Sequence, residues 1–480
     1  MNDYVIKGYK PEKLFRCFED ISRIPRGSGN EEGIAKYVEE FAKARGYFCI
    51  RDGANNVFVR VPATPGREKE GAVLLQGHLD MVAEKNAATK HDFLTDPLKL
   101  YVEDGWLRAD GTTLGADDGA AVAVMLALID GECKSHPTLE CLFTTGEEIG
   151  LIGAGLFDYS VVTAKKMINM DTEGEGVVVA GCAGGVRTDL GIKVKYTAMK
   201  GEGLKIALTG LAGGHSGENI NCGRMNASKL MGRILLDLSS KMRVNLVEVC
   251  GGSKDNAIPR EAFATVSVAD TDKAARRILR EVQRIRGELV AEDAGLVVTC
   301  SVADGIDTMM DNASTRKVLG VLGTVQNGVI EMSRDIPGLV GFSRNLGVVK
   351  TDAENKTVDF VFSSRSPIDS QLDASIASLD ALAALCGGTT KHYSRYPGWN
   401  YASRSALRDK YLKAAKKVYG KDARVDVIHA GLECGIIRSF LPKLDVISIG
   451  PSMKGIHSPD EALDLASCEK FWEIVTILLA

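Results

Sequence analysis

Between residues 72 and 171 one arrangement recurs: a short apolar run gives way, in a glycine-flanked turn, to His, Asp or Glu. AVLLQG is followed by His78 and Asp80, LECLFTT by Glu147 and Glu148, and KKMINMD ends on Asp171. Runs this short, with no polar face, read as strands buried in a sheet covered on both sides. DDGAAVAVMLALIDG, residues 117–131, is apolar almost throughout, opens on two acids and stops at Gly131. Those are the marks of a buried helix with acidic groups at its positive end. PEKLFRCFEDISRIP and NEEGIAKYVEEFAKARG carry helical spacing of apolar residues. The expectation is an α/β domain, a mixed sheet flanked by helices. In open sheets of this class ligands bind beyond the carboxyl ends of the strands.

The pattern changes near Gly184-Gly185. LKIALTGLAGG, AFATVSVAD, GLVVTCSVAD and TVDFVFSSRS alternate apolar and polar residues, and they are interleaved with helical stretches such as DKAARRILREVQRIRGEL. Alternation of period two is that of half-exposed strands, so an α+β domain is expected over 187–394. Each of its halves offers strand, helix, strand pair and helix, which suggests an internal duplication of pattern. After SRYPGWNYAS the first character returns, with the apolar run KLDVISIGP and the closing helix CEKFWEIVTILLA. The predicted organisation is a catalytic domain over 1–186 and 395–480, with 187–394 inserted as a lid. An insertion is tolerated where its two ends lie close together.

Composition narrows the function classes. A chain of 480 residues exceeds one compact core. A net charge of −4 gives no general attraction to nucleic acid. No run approaches the roughly 18 apolar residues of a membrane span, and the N-terminus carries charges of both signs without the apolar core of a secretory signal. Eleven cysteines, an odd number without CxxC pairs, read as reduced thiols in a cytoplasmic protein.

Taken singly, the acidic and imidazole residues have plain accounts. A His at a strand end is a hydrogen-bonded polar group, Asp117-Asp118 caps a helix, and Glu147-Glu148 is a solvated turn. Together they are harder to dismiss. Strand after strand ends in such groups, and GIHSPDE adds His457 near the C-terminus, so two of only seven histidines fall in the set.

The motifs GHLDMV, GADDGAA, TGEEIGLIGA, NMDTE, GGHSG and HSPDE, in this order, resemble those of the co-catalytic dinuclear-zinc peptidases, and most closely the aminoacyl-histidine (Xaa-His or nonspecific) dipeptidase branch. The resemblance spans nearly the whole chain, and the long doubled middle domain fits that branch. It implies that His78 and Asp171 hold one divalent ion, Glu148 and His457 the other, and that Asp117 bridges the two. A shared water fills the open position that a catalytic site keeps. Zinc is the implied ion, and cobalt or manganese suit the same oxygen and nitrogen donors. Asp80 is implied to orient His78, and Glu147 to act as general base on the water. Asp118 has no implied ligand role and is read as a helix cap. The chain holds neither GxSxG nor HExxH, which agrees with hydrolysis through no covalent intermediate and with a metal not held on one helix.

For the lid, the resemblance implies that His215 stabilises the oxyanion, that Asn256 and Gly431 lie against the substrate backbone, and that Arg365 grips its C-terminal carboxylate. Glu433 is given a structural role. The implied substrate is a dipeptide. In single-lid relatives the His comes from a second subunit, so the motif does not decide between a monomer and a homodimer. The rival readings are an N-acyl amino acid deacylase or carboxypeptidase of the same superfamily and a non-catalytic peptide-binding protein.

Overall fold

The computed structural model describes residues 4–334 and 336–480. The chain forms two compact units. The first comprises the chain up to Cys182, Trp399–Val427 and Leu432–Ala480; the second comprises Ala183–Gly398 and Ile428–Gly431.

In the first unit eight strands lie in the order Phe48–Arg51, Val57–Val61, Leu139–Thr144, Val73–His78, Lys166–Asn169, Asp445–Ser448, Val177–Cys182, Arg424–Ile428. The four central strands of this mixed sheet, 139–144, 73–78, 166–169 and 445–448, run parallel, and the strands on either side of them are antiparallel. Parallel strands end at one rim, so the residues that follow His78, Thr144 and Asn169 are gathered there although about 90 positions separate the first from the last. The helix Ala116–Ile129 packs on Val73–His78 and on the helix Glu12–Ile21. It is apolar around its whole circumference and buried from Gly119 to Ile129, as a helix covered on all sides must be. Each buried Val, Leu, Met or Ile there contributes roughly 1.5–3 kcal/mol. Close approach to the sheet requires Gly77, where a Cβ would stand 2.5 Å from both the Ala121 Cβ and an Asp118 oxygen.

The second unit contains two βαββαβ sets, the first continuous in the chain and the second split, the whole first set lying between its first strand and its first helix. One is Glu202–Thr209, helix Ala227–Ser239, Asn245–Gly251, Ala262–Val268, helix Thr271–Ile285 and Val297–Val302. The other is Gly184–Lys193, helix Asn312–Thr324, Val340–Asp352, Thr357–Ser366, helix Asp369–Cys386 and Gly388–Tyr396. In both, the sheet order is fourth, first, third, second strand, and the two second strands, 245–251 and 340–352, pair to give one continuous antiparallel sheet. Leu204, Ile206 and Leu208 are buried while Lys205 is exposed, the alternation of a sheet with one covered face.

Two details depart from the sequence reading. The second unit begins four residues before 187 and ends four after 394, because the strands 184–193 and 388–396 extend past those positions. The short return at 428–431 was not foreseen either.

Candidate metal centre and substrate-binding residues

At the rim of the first unit, Asp117 stands between two imidazoles. Its Oδ1 is 3.0 Å from His78 Nε2 and its Oδ2 is 3.2 Å from His457 Nε2. Each ring has a further carboxylate beside it: Asp171 Oδ1 is 3.9 Å from His78 Nε2, and Glu148 Oε1 is 3.0 Å from His457 Nε2. Among the described residues, candidate ligand atoms lie within 4.8 Å of one another in three groups, His78 with Asp118 and Asp171, His78 with Glu147 and Glu148, and Asp117 with Glu148 and His457. His457 adopts a φ of +60°, a conformation costly for a residue with a Cβ and common where a side chain must be aimed.

Asp80 is fully buried and serves four neighbours. His78 Nδ1 lies 3.1 Å from its carbonyl oxygen and 3.4 Å from its carboxylate. The same carboxylate accepts the backbone N–H groups of Glu147 at 3.1 Å and Glu148 at 3.2 Å, and the Ser28 hydroxyl at 2.8 Å. The Glu147-Glu148 turn is thus anchored through its backbone, leaving both side chains free to face the site. Asp118 accepts the His78 N–H at 3.2 Å and is also held by the Ala121 amide.

Carboxylates outnumber imidazoles, and the proton affinities show it. Burial lowers the His78 ring, but Asp117 and Asp80 outweigh it and raise the ring well above its ordinary value. Asp117 and Glu148 carry His457 up to about 10. Burial raises Asp117, yet the two imidazoles hold it below the usual carboxylate range. Asp171 is pushed well up by burial and by Asp117. Glu147 is pushed up to about 8 by burial, with Glu433, Glu148 and Asp117 adding to it. The carboxylates therefore favour positive charge beside them.

In the second unit, His215 pairs with Ala257 in a two-stranded ladder next to Asn256, whose carbonyl accepts the Ser216 N–H at 2.9 Å. His215 Nδ1 accepts the Glu218 N–H at 3.3 Å, which leaves the ring proton on Nε2. Burial and then Arg365 lower the ring's pKa, keeping it neutral. Arg365 is buried, donates to the Tyr396 hydroxyl at 3.2 Å, and has no partner for its Nε. It lies opposite Ser343 in the strand register, and Ser343 bonds His429 Nε2 at 2.7 Å. Gly431 ends the short segment that carries His429 into this unit.

Glu433 was read as structural, whereas Gln76, Glu461 and Arg26 were given no role by the sequence. Glu433 is fully buried, accepts the Gln76 amide and the Thr144 hydroxyl, each at 2.6 Å, on one oxygen, and has no donor on the other. From Gln76 the bonds continue to Asn169, which accepts the Asp171 N–H at 3.3 Å. Glu461 lies inside the HSPDE motif and holds the turn that carries Asp117, while Arg26 holds the same turn from another side. The motif was a signal for Glu461; nothing near Arg26 marks it.

A model of the peptidase family M20/M25/M40 matches residues 74–480. The chain belongs to this family. It is 37% identical over 473 residues to the cytosol non-specific dipeptidase of Escherichia coli, spanning 98% of this chain and 97% of that one. Its fold is similar to that of aminoacylhistidine dipeptidase from Vibrio alginolyticus, with a TM-score of 0.92, 36% identity, and coverage of 98% and 96% of the two chains. Aminopeptidase PepT from Bacillus cereus shares the fold at a TM-score of 0.58 and 17% identity over 98% of both chains. As an M20 peptidase the chain is a peptide-bond hydrolase. The residues here fit a pair of divalent ions: imidazole and carboxylate donors surround both faces of Asp117, and Asp118 Oδ1 is buried without a donor. Among the described residues no helix is long and apolar enough to cross a membrane.

Proposed function

We propose that the chain is a metal-dependent dipeptidase acting on Xaa-His and other short dipeptides. The observation that carries the reading is Asp117, whose two oxygens face two imidazoles, each accompanied by a further carboxylate. His78 and Asp171 would hold one ion and Glu148 and His457 the other, with Asp117 serving both. Zinc is the expected metal, with cobalt and manganese able to take its place. The names borne by the relatives from Escherichia coli and Vibrio alginolyticus support the substrate class.

The two ions, when bound, polarise the scissile carbonyl and bring the pKa of a shared water toward neutrality. Glu147 takes the proton of the attacking water and returns it to the leaving amine nitrogen, so no covalent intermediate forms. Positive charge in the site draws the raised Glu147 pKa back toward the base form. Asp80 fixes the His78 ring and, through the two backbone N–H groups, the direction of Glu147.

His215 presents a neutral Nε2–H, the form needed to donate to a developing oxyanion. His215→Ala should lower kcat by about 10²–10³-fold with little change in metal content, measured by steady-state kinetics beside metal analysis. Arg365 has a buried guanidinium whose Nε has no partner, a group suited to a carboxylate. A charge-assisted bond is worth about 1.5–3 kcal/mol, so Arg365→Ala should reduce kcat/KM on a free dipeptide by about ten- to a hundredfold. The loss should be small on the same dipeptide amidated at its C-terminus, and equal losses on both would remove this role. Asn256 and Gly431 are assigned to the substrate backbone.

Ligands that bind only the folded state stabilise it, by about 2.7 kcal/mol at a hundredfold excess over Kd. Chelation should therefore lower the melting temperature in calorimetry, and zinc should restore it.

The second unit is read as a lid, and its two βαββαβ sets as products of an internal duplication. A cytoplasmic location is part of this reading, supported by the cytosolic relative. Ala-His and β-Ala-His assayed beside N-acetyl amino acids test the substrate class. Dipeptide hydrolysis is expected; exclusive turnover of the acetylated substrates would make the chain a deacylase.

A further inference from the structure

The turn that carries Asp117 is held by one carboxylate. Glu461 Oε2 accepts the N–H groups of Leu114 at 2.7 Å and Gly115 at 2.9 Å, and Oε1 accepts those of Ala116 at 2.8 Å and Asp117 at 3.3 Å. Gly115, at a φ of +65°, turns successive amides toward one point, a backbone arrangement that otherwise receives a bound anion. Here the chain supplies the anion itself, 2% exposed. Arg26, equally buried, donates to the Gly115 carbonyl and to those of Leu79 at 2.9 Å and Asp80 at 3.2 Å, joining this turn to the one after His78. Glu461 is only four residues from His457. The segment between them is braced by the Ser458 N–H on Gly455 and the Glu461 N–H on Ser458, and it leads directly into Ala462–Asp464, which pairs with Trp106–Ala109.

We propose that Glu461 is a positioning residue that sets Asp117 in its bridging place before any ion binds, and that it ties this carboxylate to His457 so that the two ion positions fill as one event. The proposal rests on the metal reading above. Four backbone donors on two oxygens leave the Asp117 Cα little freedom, and none of these bonds involves a metal. Since His457 and Glu461 belong to one braced segment, an ion that seats His457 also seats the turn beneath Asp117.

The test compares wild type with Glu461→Gln. The amide keeps the size of the side chain but offers one oxygen, so two of the four N–H groups face an NH2 instead of an acceptor. Zinc binding at buffered free zinc, followed by calorimetry and metal analysis, should show one transition in wild type. In the variant it should separate into two steps, the weaker shifted by about 10–100-fold. Excess zinc should restore kcat with KM unchanged, and the metal-free variant should keep a native circular dichroism spectrum. Superposable isotherms would overturn the proposal. A second measurement needs no variant: hydrogen exchange of the metal-free wild type should find the amides of 114–117 protected to the same degree as with zinc. If they exchange freely until zinc is added, the clamp follows the metal and the proposal fails, whether or not Glu461→Gln folds. Should wild type bind no zinc, and Asp117→Asn change nothing, the metal reading itself falls.

Discussion

Glu147→Gln should lower dipeptide turnover by about 10²–10⁴-fold, the usual contribution of a positioned general base, while leaving the metal content at the wild-type level. The substitution removes a proton acceptor and little else. The side chains are of equal size, and the turn is anchored to Asp80 by backbone N–H groups, which the change does not touch. Glu148, the neighbour assigned to an ion, keeps its approach to His457 at 3.0 Å. Kinetics and metal analysis on one preparation separate the two outcomes. Loss of turnover with intact metal assigns the proton transfer to Glu147. Retained hydrolysis would refute the mechanism, and loss of metal would make Glu147 a ligand.

Asp117→Asn should cost the protein both ions. The carboxylate serves two imidazoles with two oxygens; the amide presents one oxygen and one NH2, and its dipole opposes a cation on the nitrogen side. The bridging negative charge disappears as well, leaving the two ions to repel one another without compensation. Changes to residues that merely support a ligand cost about 10–100-fold in affinity, and replacing the bridge should exceed that range. At a free zinc concentration that saturates wild type, the variant is expected to hold no more than trace metal and to be inactive. Binding of both ions with unchanged affinity would refute the bridge, and loss of one ion alone would make Asp117 a ligand to that ion only.

What could be read from the sequence was what is local in the chain. AVLLQG, LECLFTT and KKMINMD show as strands because parallel strands are apolar on both faces, and their rim residues show because each follows its own strand within a few positions. His457 was visible through its motif. The same motif contains Glu461, but neither its clamping role nor Arg26 could be read there, since their partners are backbone N–H and carbonyl groups, which leave no residue-type pattern. The change of pattern near Gly184-Gly185 marks the start of the second unit, and the bound of 187 fell inside its first strand, Gly184–Lys193. His429 lies in a four-residue return too short for any change in composition to register.

The central claim, that two divalent ions at Asp117 make this chain a dipeptidase, is tested most directly by metal analysis of the purified protein combined with Ala-His hydrolysis before and after chelation. Two divalent ions per chain, activity lost with the ions, and activity regained on adding zinc, cobalt or manganese are the expected results. Hydrolysis that continues at the same rate in the metal-free protein would contradict the account.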